Sequence, residues 1–293
     1  MPRWLAIANP YAGAFRFGDF RARWMPRIEA CVDRVVYTER PRQATEIARA
    51  AADYDGIAVI GGDGTLFETL AGTVHAEQLH AIIPAGRGNC LALDLGVGSV
   101  PAALAVIENG APLVVDLMDV ELGFADGSHR ACQAASTLAV GYVAHVVERA
   151  ALLLPLGRFA YAASAALTRP RRLTLRARYG EEPPQDERLA SIIVNNTRHL
   201  ANFRAFPRAS LEDGLLDVLE LDAGWAGQML HNLSVLSGSY FYNPGRELRA
   251  AVLELRFGSP QLLMVDGEII PNVTLCRVRC RPGAARFMQG VPG

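Results

Sequence analysis

The stretch Ile57–Gly72, IAVIGGDGTLFETLAG, runs from a short apolar segment through Gly-Gly-Asp-Gly into a helix-like segment. Four consecutive apolar residues, Ile57 to Ile60, predict a buried strand. The glycines then leave the backbone bare around a single carboxylate, that of Asp63. Backbone N–H groups of such a strand-to-helix turn can approach a ligand closely, and the helix N-terminus adds positive potential. The stretch predicts an anion-binding turn in an α/β fold. The alternative is a tight turn in which Asp63 caps the helix.

The composition limits how this protein can hold an anion. All 29 basic residues are arginine, because the chain contains no lysine. A phosphate-binding loop of the GxxxxGK[ST] type and a lysine Schiff base are therefore excluded. The net charge of -1 gives no electrostatic reason to expect a nucleic-acid partner. Any phosphate site must use arginine, backbone N–H groups or a metal ion.

The bulk properties favour a cytoplasmic protein of two domains. The 293 residues exceed the usual size of one domain, and 51% of them are hydrophobic. The five cysteines are scattered without a CxxC pair, which predicts free thiols in a reducing compartment and argues against a zinc site. The first ten residues lack the layout of a signal peptide. The apolar region 150–167 is interrupted by Pro155, Gly157 and Arg158, so we do not expect it to span a bilayer.

Residues 3–116 alternate between short apolar runs and helical patterns, which predicts a parallel sheet flanked by helices. The predicted strands are Trp4–Ala8, Arg34–Tyr37, Ile57–Ile60 and His80–Ile83. The predicted helices are Gln43–Ala52, one beginning near Thr65, and Val100–Glu108. Glycine-bearing turns follow three of the strands, NPYAG at 9–13, GGDGT at 61–65 and PAGRGN at 84–89. Because ligands collect at the carboxyl ends of parallel strands, we expect these turns to converge on one edge.

From about Leu113 the pattern changes to that of a mainly β domain with helical inserts. The predicted strands are Val114–Val120, Cys132–Val140, Leu173–Tyr179, Leu189–Asn195, Leu215–Leu221, Ala250–Phe257 and Gln261–Val265. The predicted helices are Gly141–Leu154, Arg158–Leu167 and Ala226–Ser237. The polar segment Gly180–Arg188 predicts an exposed loop or hairpin tip.

The turn at 84–89 has the same features as the turn at 61–65. Gly86 and Gly88 open the backbone, and Asn89 is placed to cap the next helix. The guanidinium of Arg87 lies between the glycines, where its fork could take a phosphate; the alternative is an exposed loop arginine.

These motifs, in this order, resemble a known family. The motifs are Asn9-Pro10-x-x-Gly13, Gly61-Gly62-Asp63-Gly64-Thr65-x-x-Glu68, Pro84-x-Gly86-x-Gly88-Asn89, Pro207-x-Ala209-x-Leu211-x-Asp213-Gly214-Leu215-Leu216-Asp217 and Asp266-Gly267-Glu268. Together they look like the catalytic domain shared by diacylglycerol kinases, sphingosine kinases and bacterial YegS/DgkB-like lipid kinases. They extend over nearly the whole chain, which makes the match specific.

The resemblance implies an α/β ATP-binding domain at 1–116 and a β-rich, β-sandwich-like lipid-binding domain at 117–275, with a cleft between them. The segment 276–293 is expected to return to the first domain. The implied activity is an ATP- and Mg²⁺-dependent lipid kinase that phosphorylates a hydroxyl of a diacylglycerol-like or sphingoid-like lipid. The lipid would be met at a membrane surface, by peripheral contact at the inner face, and bacterial members suggest a homodimer.

The resemblance also implies roles for individual residues. Asp63 would lie near the Mg²⁺–phosphate cluster, and Asp266 and Glu268 would face the lipid hydroxyl, one of them as general base. The residues expected to hold ATP are Asn9, Pro10, Gly13, Thr38, Gly61, Gly62, Gly64, Thr65, Glu68, Gly86, Arg87, Gly88 and Asn89. A structural Mg²⁺ would bind the Asp213 carboxylate and the carbonyls of Ser210 and Leu215.

The chain departs from the family pattern at several positions. Arg87 stands where threonine is usual, Cys90 replaces a common aspartate, and Phe67 and Ala71 stand where asparagine is frequent. Residues 201–203, Ala-Asn-Phe, replace a usual run of three glycines. Two alternatives follow. One is an NAD kinase-like enzyme, which shares GGDGT, and the other is a catalytically silent homologue that binds nucleotide or lipid.

A group of arginines follows the apolar region 150–167. The group consists of Arg169, Arg171, Arg172, Arg176 and Arg178. It predicts either contact with anionic headgroups or an ordinary solvated strand face. The six histidines show no metal-binding spacing and are read as ordinary residues, with His145 and His199 closest to the expected cleft.

Overall fold

A computed structural model describes residues 2–16, 19–86, 88–153, 160–200, 203–238 and 242–290. Its helices in these ranges are α1 (Gly13–Arg16), α2 (Phe20–Glu29), α3 (Gln43–Arg49), α4 (Asp63–Gly72), α5 (Cys90–Asp94), α6 (Val100–Asn109), α7 (Tyr142–Leu152), α8 (Ala160–Leu167) and α9 (Trp225–Leu236). Its strands are β1 (Trp4–Ala8), β2 (Arg34–Tyr37), β3 (Gly56–Gly61), β4 (Leu79–Pro84), β5 (Ala111–Phe124), β6 (His129–Ala134), β7 (Thr137–Gly141), β8 (Leu173–Tyr179), β9 (Gln185–Leu189), β10 (Ser191–Asn195), β11 (Leu216–Leu221), β12 (Gly245–Ala250), β13 (Val252–Val265) and β14 (Glu268–Gln289).

The N-terminal lobe is built on the parallel strands β4, β3, β1 and β2, in that spatial order. Every residue of β1 and β3 is buried, because helices cover both faces of the sheet. Their apolar side chains form one core cluster with α2, α3, α4 and α6. The α/β lobe predicted from the alternating pattern is thus confirmed.

The C-terminal lobe is mainly β, as predicted. Its central strands run in the order β12, β11, β10, β7, β13 and β14, each antiparallel to its neighbour, while β5–β6 and β8–β9 extend the sheet beside this path. Strand β8 alternates as expected, with Leu173, Leu175 and Ala177 buried and the residues between them exposed. The buried faces enclose a second core cluster.

Strand β14 joins the two lobes. Its first part pairs with β13, and it runs antiparallel to β5 along most of its length. Near its end, Arg286 and Phe287 pair in parallel with Leu79 and His80 of β4. Only the end of β14, with Ala285, Phe287 and Met288, lies in the core of the first lobe, whereas Cys276, Val278 and Cys280 lie in the core of the second. The domain boundaries expected after residues 116 and 275 fall inside β5 and β14.

Several elements differ from the sequence expectation. The run Cys132–Val140, predicted as one strand, is split into β6 and β7 because the N–H groups of residues 135–137 bind a side chain of another turn. The two strands predicted between Ala250 and Val265 are one strand, β13, with register shifts. The segment Gly180–Arg188 forms the predicted hairpin tip at 180–184, between β8 and β9, but it also contains most of β9. Helix α2, which contains Pro26, and strands β12 and β14 were not predicted.

The apolar region 150–167 is divided between α7 and α8, and residues 154–159 lie outside the described ranges. Among the helices that the structure describes, none has both the length and the hydropathy that a membrane span requires.

We predict that Phe287→Ala destabilises the protein by about 3–5 kcal/mol, because it leaves a cavity where β14 meets the first lobe. Phe287 is fully buried, and its ring lies 5.2 Å from that of His80, centroid to centroid. Urea unfolding of this variant measures the loss, with Val74→Ala, at a residue that is 50% exposed, as the control. A loss below about 1 kcal/mol would show that the end of β14 is not part of the core.

Candidate active site

The predicted turns lie together at the carboxyl edge of the parallel strands. The Asn9 N–H, just after β1, donates to Ile60 of β3 at 2.9 Å, and the Thr38 N–H, just after β2, donates to Ala8 at 2.9 Å. The N–H groups of Ala85 and Gly86 both donate to the carbonyl of Gly61, at 2.8 and 3.0 Å. Backbone hydrogen bonds thus connect all four strand ends.

Two glycine turns touch here through their main chains. A Cβ atom built on Gly86 would lie 2.3 Å from the Cα atom of Gly62, and one built on Gly62 would lie 2.9 Å from the Cα atom of Gly86. Only glycine allows this approach, because any side chain would collide with backbone. The glycines therefore serve first to stack the GGDGT turn on the PAGRGN turn.

The side chain of Asp63 does not cap its own helix. The N-cap of α4 is Gly62, which makes no side-chain capping bond, and the Asp63 carboxylate instead accepts from the N–H of Cys90 at 3.0 Å. The alternative reading of Asp63 as a helix cap is therefore wrong. Asn89, expected to cap α5, instead bonds through its side chain to the N–H and carbonyl of Gly86, at 3.1 and 3.0 Å.

The carboxylate of Asp63 carries an unfavourable charge. Burial, together with the nearby charge of Asp266, raises the pKa of Asp63 from 3.8 to about 7. No ion pair to Asp63 is formed within the described ranges, which leave out Arg87. Beside it, the Thr65 hydroxyl accepts from the side-chain amide of Asn9 at 3.0 Å, which ties the first turn to the second.

Asp266 is the anchor of the DGE turn. Its carboxylate accepts three backbone N–H groups, from Ala135 at 2.7 Å, Ser136 at 3.0 Å and Thr137 at 2.8 Å, and its own N–H donates to the Thr137 carbonyl at 2.8 Å. It adopts a positive φ of 43° and is only 3% exposed. Burial raises its pKa to about 6 although the three N–H groups favour the charged form.

The two lobes meet where the GGDG and DGE turns approach each other. A Cβ atom on Gly64 would lie 3.9 Å from the carbonyl oxygen of Asp266. The structure therefore brings Asp63, Gly64 and Asp266 together as the sequence motifs implied.

Glu268 is held by arginines that the sequence analysis did not single out. Its two oxygens accept from the two terminal nitrogens of Arg130, at 3.0 and 3.1 Å, and Arg42 lies 3.6 Å away. Arg42 comes from the first lobe, where its N–H donates to Glu68 at 3.0 Å. Neither arginine belongs to a motif, and only the fold brings them to Glu268.

A second link between the lobes was also missed. Asp94, at the end of α5, accepts from the N–H of Arg198 at 2.6 Å and forms a hydrogen bond with the imidazole of His199. The side chain of Asp94 is only 4% exposed. His199 therefore has a carboxylate partner, which the histidine spacing could not reveal.

The remaining residues predicted to hold ATP lie in or beside the three glycine-bearing turns. Pro10 and Gly13 lie in the first turn, with Gly13 at the start of α1, and Gly88 lies in the third turn. Thr38 is buried beside Ala8. Arg87 lies outside the described residues, so its proposed phosphate contact stays a prediction.

The residues expected to hold a structural Mg²⁺ do not fit one as they are arranged. The Asp213 carboxylate is already ion-paired with Arg249, which lies 3.3 Å from Asp217 as well. A guanidinium thus supplies the positive charge at Asp213, and we assign no step to a metal there. The neighbouring turn is fixed by buried Asp116, which accepts from the N–H of Gly214 at 2.7 Å.

The neighbourhood of Asp63 does fit a divalent cation. Two carboxylates, those of Asp63 and Asp266, repel each other here, and no arginine from the described ranges is paired with either. A hydrated Mg²⁺ binds through one or two carboxylates and a substrate's phosphates. The donor set at Asp63 meets that requirement.

We predict that Asp63→Asn stabilises the free protein, and more so at about pH 8 than at about pH 5. The folded-state pKa of about 7 exceeds the value of 3.8 expected for the unfolded chain. Between these two pKa values the folded protein keeps a proton on Asp63 that the unfolded chain releases. The free energy of unfolding therefore falls as the pH rises. The asparagine variant does not titrate and lacks this loss of stability. Melting temperatures at the two pH values measure it, with exposed Asp53→Asn as the control. An equal change at both pH values would contradict the raised pKa.

We also predict that EDTA leaves the melting temperature of the free protein unchanged, because Arg249 neutralises Asp213. Arg249→Ala should lower the melting temperature, and Mg²⁺ should then restore part of the loss. If EDTA lowers the melting temperature of the unsubstituted protein, a structural metal is present after all.

Comparison with known proteins accounts for both lobes. The family model "Diacylglycerol kinase catalytic domain" matches residues 3–120, and "YegS C-terminal NAD kinase beta sandwich-like domain" matches residues 136–289. An uncharacterized protein of Synechocystis sp. (strain ATCC 27184 / PCC 6803 / Kazusa) is 29% identical over 269 aligned residues, covering 86% of this chain and 59% of that protein. The chain thus spans less than two thirds of the length of that relative.

The crystal structure of a diacylglycerol kinase from Bacillus anthracis str. Sterne has a TM-score of 0.77 to this chain, at 22% identity, covering 99% of this chain and 97% of that one. This likeness shows the fold. The second family model alone covers more than half of the chain, and the two follow each other in the order of the lobes. The chain therefore belongs to the YegS-like, diacylglycerol-kinase-related family.

Proposed function

We propose that this protein transfers the γ-phosphate of ATP, with Mg²⁺, to a hydroxyl of a diacylglycerol-like or sphingoid-like lipid. The observation that carries the proposal is the meeting of the GGDG and DGE turns at Gly64 and Asp266. A phosphate-binding turn in one lobe and a carboxylate pair in the other then face each other, as transfer between two substrates requires. Phosphoryl transfer depends mainly on such positioning and on charge neutralisation.

On this proposal, the polyphosphate lies against the bare backbone of the stacked glycine turns. The N–H groups at the start of α4 supply the hydrogen bonds that a lysine supplies in other phosphate sites. Bound Mg²⁺ would neutralise phosphate charge, and Asp63 is the residue that would hold it. Asn9 keeps the Thr65 hydroxyl in place at the same helix start.

Glu268 is the carboxylate that an acceptor hydroxyl can reach. Its side chain is 31% exposed, whereas Asp266 is only 3% exposed and uses both oxygens on backbone N–H groups. The two nitrogens of Arg130 fix the Glu268 carboxylate in one orientation. We therefore assign Glu268 as the base that accepts the hydroxyl proton, while Asp266 positions the turn that carries it.

The family models do not separate the lipid acceptor from NAD by themselves, because the C-terminal model refers to an NAD kinase-like sandwich. The DGE turn and the segment ending in Asp213–Asp217 support the lipid branch, since both were part of the resemblance to lipid kinases. The replacements at Cys90 and Arg87 are the reason to test the alternative of a catalytically silent homologue. Against that alternative, the N–H of Cys90 donates to the carboxylate of Asp63. Each alternative predicts a different result in the following assay.

We predict that Glu268→Gln lowers kcat with lipid by on the order of 10²–10⁴-fold, because it removes the base, and leaves the melting temperature nearly unchanged. Asp266→Asn should instead lower both, since an amide has one acceptor oxygen for three N–H groups, and an unpaired N–H costs about 1–3 kcal/mol. ADP release in lipid–detergent micelles and thermal melts measure the two effects.

The matched control is Glu121→Gln, another glutamate of the same lobe in an arginine ion pair, 3.7 Å from Arg277. The acceptor panel should contain diacylglycerol, monoacylglycerol, phosphatidylglycerol, ceramide, sphingosine and NAD. Turnover of NAD alone would establish the NAD kinase alternative. Lipid binding without ADP release for any acceptor would establish the silent one. An unchanged kcat in Glu268→Gln would remove Glu268 as the base.

A further inference from the structure

An apolar surface lies on three helices of the C-terminal lobe. Of the eight exposed large hydrophobic residues in the described ranges, five belong to α7, α8 and α9. We call these five the three-helix face: Leu152 (80% exposed), Leu167 (60%), Trp225 (50%), Leu230 (41%) and Leu233 (58%).

Direct contacts hold the three helices side by side. The Tyr142 hydroxyl of α7 donates to the carbonyl of Ala165 in α8 at 2.9 Å, and it accepts from the side chain of Asn232 in α9 at 3.1 Å. The indole N–H of Trp225 donates to Ala166 at 3.2 Å. The contact with Ala166 places Trp225 beside Leu167, the next residue of α8.

The helices of this face lack the polar surface of a solvated helix. Neither α8, AYAASAAL, nor α9, WAGQMLHNLSVL, contains a charged residue, and the one histidine, His231, is buried. Among the α9 side chains that the structure describes, the exposed ones are Trp225, Ala226, Leu230 and Leu233. A helix on the surface of a soluble protein normally turns charged side chains outward. An outward apolar row of this kind indicates a surface that becomes covered.

A basic cavity of about 1000 Å³ adjoins the face, beside α7 and the segment that follows α8. Its lining includes four arginines, Arg149, Arg169, Arg171 and Arg172. Arg149 donates to the Leu167 carbonyl at 2.7 Å, and Arg172 is paired with Asp222. Arg169 and Arg171 make no ion pair with any described residue. The lining carboxylate, Glu148, faces His145 at 3.4 Å.

This arrangement divides the arginine group seen in the sequence. Arg176 and Arg178 lie on the sheet, 3.9 Å from Asp186 and 3.4 Å from Glu254, as on an ordinary solvated face. Arg169 and Arg171 line the cavity instead. The cavity reaches Gly141, at the opposite end of β7 from Thr137, so about 13 Å of strand separates it from the backbone that anchors Asp266.

We propose that the three-helix face and this cavity form the site by which the protein docks on an anionic phospholipid bilayer. The cavity arginines bind the phosphate of a lipid headgroup, and Trp225, Leu167 and Leu233 enter the interfacial layer. A guanidinium presents a fork of donors that matches phosphate, and tryptophan is enriched at the membrane interface. An apolar surface beside unpaired arginines is complementary to an anionic bilayer rather than to water.

The inference rests on the proposed lipid kinase function, since docking would bring the cleft to its acceptor, but its test uses no turnover. The test is flotation of the full chain, without ATP, on vesicles of phosphatidylcholine alone or with phosphatidylglycerol. We expect binding only to the anionic vesicles, and we expect high salt to weaken it. Arg169→Glu with Arg171→Glu, and separately Trp225→Glu with Leu233→Glu, should each lower the partition coefficient by on the order of tenfold or more.

Matched controls are Arg281→Glu and Val74→Glu, exposed positions outside the face, which should leave vesicle binding unchanged. Equal binding to both vesicle types, or no effect of either double variant, would overturn the proposal. Binding of inorganic phosphate by the full chain, with no flotation on anionic vesicles, would also overturn it and would indicate a free-anion site. A dimer in sedimentation velocity that Leu233→Glu dissociates would show that a second copy covers the face.

Failure of docking and failure of the kinase proposal can be told apart. A short-chain acceptor dissolved below its critical micelle concentration needs no membrane, so its phosphorylation should be unchanged in the face variants. Phosphorylation of that acceptor by a protein that does not float would overturn docking alone. Flotation without phosphorylation of any acceptor would overturn the kinase proposal alone.

Discussion

The clasp between the Asp266 carboxylate and the N–H groups of residues 135–137 is the interaction on which the candidate site depends. It splits what would be one long strand into β6 and β7, and it holds the DGE turn in a left-handed conformation. The same turn places Asp266 against Gly64 and carries Glu268 two residues further on. Without the clasp, neither carboxylate of the turn would have a fixed position relative to the first lobe.

The clasp has an electrostatic consequence. It fixes a second carboxylate close to Asp63, and burial leaves both with a raised pKa. Two such groups are unfavourable in the free protein, and a bound cation would relieve the repulsion. The repulsion between these two carboxylates is the physical reason to expect a divalent ion, bound together with a polyphosphate. Asp213 differs from Asp63 in this respect, because the guanidinium of Arg249 already neutralises its carboxylate.

The sequence predicted those parts of the site that depend on local backbone. The strand–Gly-rich turn–helix pattern indicated the parallel lobe, and the turn at 61–65 lies where it was expected. The partners of Glu268 could not be predicted, since Arg42 and Arg130 are distant in sequence and follow no motif. Asp94 and His199 meet for the same reason, through the contact of two lobes.

Local pattern also failed where tertiary hydrogen bonds override it. The residues on either side of the break at 135–136 have the pattern of a strand. The strand is interrupted because the N–H groups of these two residues donate to the Asp266 carboxylate. Strand β14 was missed because its partners, β5 and β4, belong to different lobes and no periodicity reports them. The arginines after α8 looked like one group, whereas the fold places two on the sheet and others at the cavity.

The central claim is that the stacked glycine turns and the DGE turn carry one phosphoryl transfer from ATP to a lipid hydroxyl. It is tested most directly by incubating the protein with ATP labelled at the γ-phosphate, Mg²⁺, lipid micelles and NAD together, and by separating the products. The account predicts label in a lipid monophosphate ester. Label in NADP, or only in inorganic phosphate, would contradict it.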